Sequence, residues 1–343
     1  MIDDRRLPDR ISIIVPCYNE VDGIGDLLEA LAGQTYPLDR LEVIIADGMS
    51  SDGTRDRIQS FQRENPHLSI LIVDNPARII PAALNVAIQS ASGEIIIRLD
   101  AHSIPRPDYI ARCVEVLEDQ NVANVGGIWE IEPGSGSHVA RGIAAAAAHP
   151  LGAGGARYRV GGPPGPVDTV PFGAFRRSWL DRVGQFNEAL LSNEDYEYNV
   201  RLREAGGVVF FDPRIRSVYI ARSTLPALGR QYARYGYWKA RMLRRYPGTM
   251  RLRQLIPPVF VGSLLVLALL SPILPLAAAL LKVELGIYAL FAIVSAFLEV
   301  WRRKDPSLVF TFPLALIVIH FSWGIGFWNG LIRSLWEGGH GPR

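Results

Sequence analysis

Carboxylates that follow runs of β-branched apolar residues dominate the reactive side chains of this sequence. Asp47 closes LEVIIAD and opens DGMSSDGT, Asp100 closes EIIIRLD and opens DAHS, and Glu194 and Asp195 follow Asn193 in NEDYEYN. The spacing Asp100-Ala101-His102 lets a carboxylate and an imidazole face one divalent cation. An acid after a strand also has an everyday use, capping the next turn or helix. Asp52 is read that way, whereas for Asp100 both readings stand. Glu194 and Asp195 equally suit the first turn of a helix through Tyr196 to Glu204, where acids are favoured. No GxGxxG follows the first apolar run and no GxxxxGK[ST] occurs, which argues against a dinucleotide fold and a P-loop enzyme. Cys17 and Cys113 belong to no CxxC pair and cannot build a disulfide framework.

The elements that must hold these groups read as alternating strands and helices. ISIIV (Ile11 to Val15), LEVIIAD (Leu41 to Asp47), LSILIVDN and EIIIRLD (Glu94 to Asp100) are continuous apolar runs of the kind buried on both faces of a sheet. Helical periodicity separates them in IGDLLEALAGQ, TRDRIQSFQREN and PAALNVAIQSAS. Strand, helix, strand at this pitch predicts an α/β fold on a mostly parallel central sheet with right-handed crossovers. Ligands of such sheets bind at the carboxyl ends of the strands. The candidate segments are therefore Pro16 to Glu20, Asp47 to Asp52 and Asp100 to His102.

Charge divides the 343 residues unevenly. Of 36 Lys and Arg and 34 Asp and Glu, thirty of each sign precede Leu255, leaving a charge-poor tail. That pattern excludes a disordered chain and an all-membrane transporter, and the even balance argues against a nucleic-acid partner. The tail carries LIPPVFVGSLLVLALLSPILPLAAALL, then LGIYALFAIVSAFLEVW, then LVFTFPLALIVIHFSWGIGFWNGLI. A bilayer core needs about 20 apolar residues as helix. About three transmembrane helices are expected, the first two joined by a turn between Ser271 and Glu284, with a buried core helix pair as the competing reading. MIDDRRLPDR has no apolar leader core. Eleven Arg and Lys between Arg214 and Arg253, with Arg302 to Lys304, put the globular part on the cytoplasmic side of a multi-pass cell-membrane protein. Arg230 and Arg234, and Arg241 and Arg245, share helix faces among Tyr232, Tyr235, Tyr237 and Trp238, which suits a helix in the headgroup layer or an ordinary solvated helix. The expected division is a cytoplasmic domain over 1–222, an amphipathic juxtamembrane region over 223–253 and a membrane domain over 254–343.

PCYNE, DGMSSDGT, LDAHS and NEDYEYNVRLREAGG, in that order, resemble family 2 glycosyltransferases, across about Ile11 to Pro213. RLDAH, DTVPFGAFRR, NEDYEYN and the three-span tail are similar to exopolysaccharide glucosyltransferases of the succinoglycan type. The resemblance implies a GT-A fold. It implies that Pro16, Tyr18, Glu20 and Asp47 hold the nucleotide, with the Asp47 carboxylate accepting from a uracil N–H. It matches the family's Asp-x-Asp metal motif to Asp100 and His102, where Mn²⁺ or Mg²⁺ would bridge the diphosphate. Imidazole in place of the second carboxylate favours Mn²⁺ over Mg²⁺. It matches the family's Glu-Asp motif to Glu194 and Asp195, with Asp195 as general base. Arg78 and Asn85 lie where the family often contacts nucleotide or phosphate, though Arg78 equally suits a solvated face. Gly152 to Pro166 is an acceptor-side lid carrying Arg157 and Arg159, or only a loop.

The activity so implied is an inverting, metal-dependent transfer of one sugar, glucose from a UDP-sugar, to a polyprenyl-linked saccharide in surface polysaccharide synthesis. Gln231-Tyr232-Ala233-Arg234-Tyr235 stands where the family's processive synthases carry QxxRW, with tyrosine for tryptophan, so a single addition is expected. Two other readings remain open: a polyprenyl-phosphate monosaccharide synthase, and a membrane scaffold that binds a nucleotide sugar without turning it over.

Overall fold

The computed structural model describes residues 8–337. MIDDRRL, the start of the segment read above as lacking a leader core, and the terminal Arg343 lie outside the described residues. The chain divides into two units. The first holds residues up to Glu130 and Gly161–Tyr219; the second holds Ile131–Val160 and Ile220–Arg343.

The apolar runs of the first unit become β1 (Ile11–Cys17), β2 (Leu41–Asp47), β3 (Ser69–Asp74) and β4 (Ile95–Arg98), separated by α1 (Ile24–Ala32), α2 (Thr54–Glu64) and α3 (Ile80–Ser90). β1 pairs in parallel with β2 and β4, and β2 with β3. Successive strand residues point to opposite faces, and both faces are covered. Ile11, Ile13, Val15, Val43, Ile45, Ile95 and Ile97 pack with α1, while Ile14, Ile44, Ala46 and Ile96 pack with α3.

Past β4 the sheet changes character. β5 (Ile104–Pro105), α4 (Tyr109–Leu117) and β6 (Val122–Glu132) follow β4, and β7 (Gly165–Pro166), β8 (Ala174–Arg176), α8 (Ser178–Val183), α9 (Glu194–Glu204) and β9 (Val208–Ile220) complete the unit. The strand order is β3-β2-β1-β4-β8-β6-β9-β5, with β7 on β9. β8 lies antiparallel to β4 and to β6, and β5 and β7 lie antiparallel to β9. The sheet is therefore mixed, parallel where strands alternate with helices and antiparallel beyond. Short β8 sits inside PFGAFRR, a run too brief to show a period.

The second unit is helical: α5 (His138–Ala148), α6 (Pro150–Ala153), α7 (Arg157–Val160), α10 (Leu225–Arg245), α11 (Leu252–Leu270), α12 (Pro275–Arg303) and α13 (Leu308–Glu337). The hairpin turn expected after Ser271 falls between α11 and α12, just before Pro275. Three helices, Leu252–Leu270, Pro275–Arg303 and Leu308–Trp336, are long and apolar enough to cross a membrane, with mean hydropathy 1.8, 2.0 and 2.0. α10 and α13 run side by side in parallel. Gly229 faces Ser322, Gly326 faces Ala233 and Gly330 faces Tyr237, and a Cβ on Gly236 would sit 2.2 Å from the Trp323 carbonyl oxygen. One face of the basic, aromatic helix is thus covered by α13. α5 also lies on α13: Gly142 meets Thr311, and the His149 ring meets Phe312 edge-on at 5.2 Å. The segment Gly152 to Pro166 takes in the end of α6 and all of α7, with Arg159 buried.

At the amino ends of the parallel strands Glu42 ties β2 to its neighbours. Its Oε1 accepts from Ser12 Oγ at 2.6 Å, Ser92 N at 2.6 Å and Gly93 N at 3.2 Å, and Arg10 Nε lies 3.2 Å from Oε2. Burial pushes the Glu42 carboxyl upward, but these hydrogen bonds and Arg10 outweigh it and hold the group below its usual range. A depressed pKa contributes stability that is complete above the ordinary Glu value of about 4.3 and is lost as pH falls through the folded value. Glu42→Gln should therefore cost about 1–3 kcal/mol at pH 7. In thermal melts of detergent-solubilised protein, the gap between variant and parent should close as the pH is taken toward 3; a gap of constant size would refute the linkage.

Candidate active site

The carboxyl ends of β1 and β2 are laced together by their loops. Gly48 N donates to Cys17 O at 2.7 Å, Asn19 N to Ser50 Oγ at 2.8 Å, Ser51 N to Asn19 Oδ1 at 3.0 Å and Glu20 N to Thr54 Oγ1 at 2.9 Å. Asp52 closes the turn before α2, accepting from Thr54 N at 3.0 Å and from Val21 N at 3.2 Å. Tyr18 lies over Gly48, where a Cβ would stand 2.9 Å from its ring, so only glycine lets the ring settle there. The exposed Tyr18 ring has the Arg78 guanidinium 5.6 Å from its centroid. Pro16 is in β1 opposite Ala46.

Asp47 is fully buried and heavily engaged. Ser50 N donates to Oδ2 at 3.0 Å, Ser50 Oγ to Oδ1 at 2.5 Å, and Arg55 Nε to Oδ2 at 2.5 Å. Burial acts to raise its pKa; Ser50 and Arg55 prevail and hold it below the usual range. A carboxylate offers about four acceptor positions, so three are spent within the loop. Asp47 organises the turn that carries Gly48 to Ser50 and has room for one further donor. Arg55 also bridges to Asp74, the more exposed carboxylate. Arg55 was not singled out from the sequence; its signal is a basic residue directly after DGT, second in the helix that DGT opens.

A second cluster surrounds Arg98, the last residue of β4, whose side chain is 5% exposed. Its Nη1 donates to Asp195 Oδ1, and its Nη2 lies 3.0 Å from Glu194 Oε1 and 3.2 Å from Asp100 Oδ1. The structure thus brings Asp100, Glu194 and Asp195 together around a cation the sequence reading overlooked, two residues before Asp100 in RLDAH. Glu194 and Asp195 also begin α9, after Asn193 in the left-handed region at φ 66°, so the helix-opening role holds as well. Burial raises the Asp195 carboxyl; Arg98 opposes the rise, and the Glu194 and Asp100 charges add to it. His102 turns toward the β1 loop, its Nδ1 3.2 Å from Glu20 Oε1.

Among the described residues no three His, Cys, Asp or Glu side chains form a metal cage. The donor set fits an ion shared with a diphosphate, which takes only one or two protein ligands. Asp100 keeps 27% of its side chain exposed, and with all three carboxylates ionised the Arg98 cluster carries two surplus negative charges. Asp100, with His102 beside it, would hold such an ion. Asn85 is not brought to the site. Its Nδ2 donates to Phe186 O at 2.9 Å and Glu188 Oε1 at 2.8 Å, and its Oδ1 accepts from Phe186 N at 2.9 Å. Its amide fastens α3 to the 186–188 segment.

A family model described as "Glycosyl transferase family 2" matches residues 12–184. The succinoglycan biosynthesis protein ExoA of Rhizobium meliloti (strain 1021) is 29% identical over 326 residues, 93% of this chain and 94% of that one. The dolichyl N-acetyl-alpha-D-glucosaminyl phosphate 3-beta-D-2,3-diacetamido-2,3-dideoxy-beta-D-glucuronosyltransferase of Methanococcus voltae is 27% identical over 331 residues, 94% of this chain and 98% of that one. In fold the chain is similar to the mannosyltransferase PcManGT from Pyrobaculum calidifontis, solved in complex with GDP-Man and Mn²⁺. That likeness has a TM-score of 0.63 at 23% identity and covers 96% of this chain and 88% of that one. The GT-A-like architecture is thereby established.

If Asp47 acts by organising its turn, a residue that only supports it should matter too. Arg55→Met should weaken UDP binding about tenfold, a loss of about 1.4 kcal/mol, measured by calorimetry beside Asp47→Ala. Wild-type affinity in Arg55→Met would show that the turn holds without the guanidinium.

Proposed function

This chain belongs to glycosyl transferase family 2, and on that footing we propose that it moves one sugar, glucose from a UDP-sugar, to a saccharide carried on a polyprenyl lipid, with inversion. The observation that carries this reading is the convergence of Asp100, from a strand end, with Glu194 and Asp195, from the start of α9, on one guanidinium. A donor-side carboxylate and a candidate base are then held on the same side chain.

Each residue takes one part. Tyr18, with Arg78 beside its ring, offers a stacking face for the base, and Asp47 keeps the neighbouring turn in shape. Asp100 and His102 would hold a divalent cation, which neutralises charge on the departing diphosphate. Asp195 takes the proton of the acceptor hydroxyl as its oxygen attacks the anomeric carbon. The carbon–oxygen bond to phosphate breaks on the opposite face, and the nucleoside diphosphate leaves with the electron pair. One base and one displacement give inversion.

The lipid-linked acceptor is supported by the apolar helices α11, α12 and α13. The printed name of the Methanococcus voltae relative, whose acceptor is a sugar on a dolichyl phosphate, supports it as well. We place the catalytic unit in the cytoplasm, on the side of the basic residues flanking these helices.

In membranes containing the protein, a panel of nucleotide sugars should show donor-specific nucleotide release that stops in excess EDTA and returns with Mn²⁺. Activity undiminished by EDTA would remove the cation from the reading. Thin-layer separation of labelled lipids should show sugar added to a glycosylated carrier; addition to bare polyprenyl phosphate would assign the monosaccharide-synthase activity. Asp195→Asn should slow single-turnover transfer by roughly 10²–10⁴-fold while UDP affinity stays near wild type. Transfer at the parental rate would mean that another base acts.

A further inference from the structure

Arg98 belongs to neither the nucleotide loops nor the proposed base, yet it touches both halves of the reaction. A guanidinium presents donors in a planar fork that can address several carboxylates at once. In this site one arm is given to Asp195, while the other reaches Glu194 at 3.0 Å and Asp100 at 3.2 Å. The backbone anchors the residue independently: Arg98 N donates to Gly173 O at 3.0 Å, and Arg98 pairs with Ile14 across the sheet. Its side chain is 5% exposed, whereas Asp195 retains 24% exposure and Asp100 27%. The cation is fixed in the sheet, and the two carboxylates meet it from more open ground.

We propose that Arg98 is a positioning residue that holds Asp195 in its working orientation, using Glu194 as the second anchor of the same guanidinium. This rests on the reading of Asp195 as the base. A carboxylate on the first turn of a helix has free χ rotation and, unrestrained, points its oxygen at the acceptor only part of the time. The salt link removes that freedom, and a small misplacement of a reacting group is costly in rate. Arg98 also lies 3.2 Å from Asp100, so the test variant must keep the positive charge there; with that charge kept, loss of the fork should be felt in the chemical step and not in donor binding.

Arg98→Lys keeps the buried positive charge and gives up the fork. The expected result is a fall in kcat of about 10²-fold, with the donor KM and the UDP affinity in Mn²⁺ each within about threefold of the parent, a split that general loss of structure would not produce. Because Arg98 acts through Asp195, the double variant Arg98→Lys/Asp195→Asn should be no slower than Asp195→Asn alone. Losses that multiply would overturn the proposal while leaving the base in place. Unchanged kcat in Arg98→Lys, or a raised KM at unchanged kcat, would overturn it also. An Asp195→Asn single variant at the parental rate would overturn the base assignment and this inference with it. Should Arg98→Lys not fold, Glu194→Gln leaves the guanidinium in place and loosens one anchor. It should lower kcat less than Asp195→Asn does, at parental UDP affinity, and add nothing to Asp195→Asn; an additive loss or unchanged kcat again overturns the proposal.

Discussion

A guanidinium taken almost wholly out of water is tolerable only among anions, because an unpaired buried charge costs several kcal/mol. Arg98 meets that requirement with three carboxylates drawn from two distant stretches of chain. The dependence is mutual. Asp100, Glu194 and Asp195 would repel one another at this spacing without the cation between them. The end of β4 and the start of α9 are therefore held together by charge, and the candidate active site is assembled in that act. The parallel half of the sheet supplies the rigid base on which this happens, with β1, β2 and β4 in register and packed on both faces.

The parallel half was legible in the sequence because burial on both faces demands continuous β-branched runs, and Leu41–Asp47 is bounded in the structure as those residues predict. The strand-end acids drew attention for a related reason: ligands of such sheets bind beyond the carboxyl ends of the strands. The antiparallel half was not legible. β8 has three residues and β5 and β7 two each, lengths at which no periodicity exists to be read. Arg98 was hidden inside an apolar strand, where only Asp100 is within reach in sequence and Asp195 lies 97 residues away. The clasp made by Asn85 was not legible, because an amide suits a ligand contact and a buried tie equally well and its partners Phe186 and Glu188 lie 101 and 103 residues on. What escaped in each case was a long-range pairing.

The two acidic loops divide their labour by degree of burial. Asp47 has no exposed surface and spends three of its acceptor positions on Ser50 and Arg55, which shapes the backbone of its turn. Tyr18 and Asp74 stay accessible around it. Asp100 has the opposite balance, one oxygen near Arg98 and a part of its surface left open. Residues that look equivalent as acids after strands thus sit in different surroundings, one buried in its turn and the other partly open.

The second unit is assembled from two stretches of chain, and this has a consequence for synthesis on the ribosome. α5 is complete at Ala148, but its partner α13 does not begin until Leu308. At a translation rate of 5–20 residues per second, the roughly 160 intervening residues take about ten to thirty seconds to emerge. For that interval the part of the alanine-rich face of α5 that α13 will cover stays open, while strands β8 and β9 and the apolar α11 and α12 are still being made. A face built from alanine and glycine, with little apolar area per residue, is well suited to waiting, since it gives passing hydrophobic segments little to hold. Growth of the nascent chain therefore favours a small-residue surface at this helix for a reason that the finished fold alone would not supply.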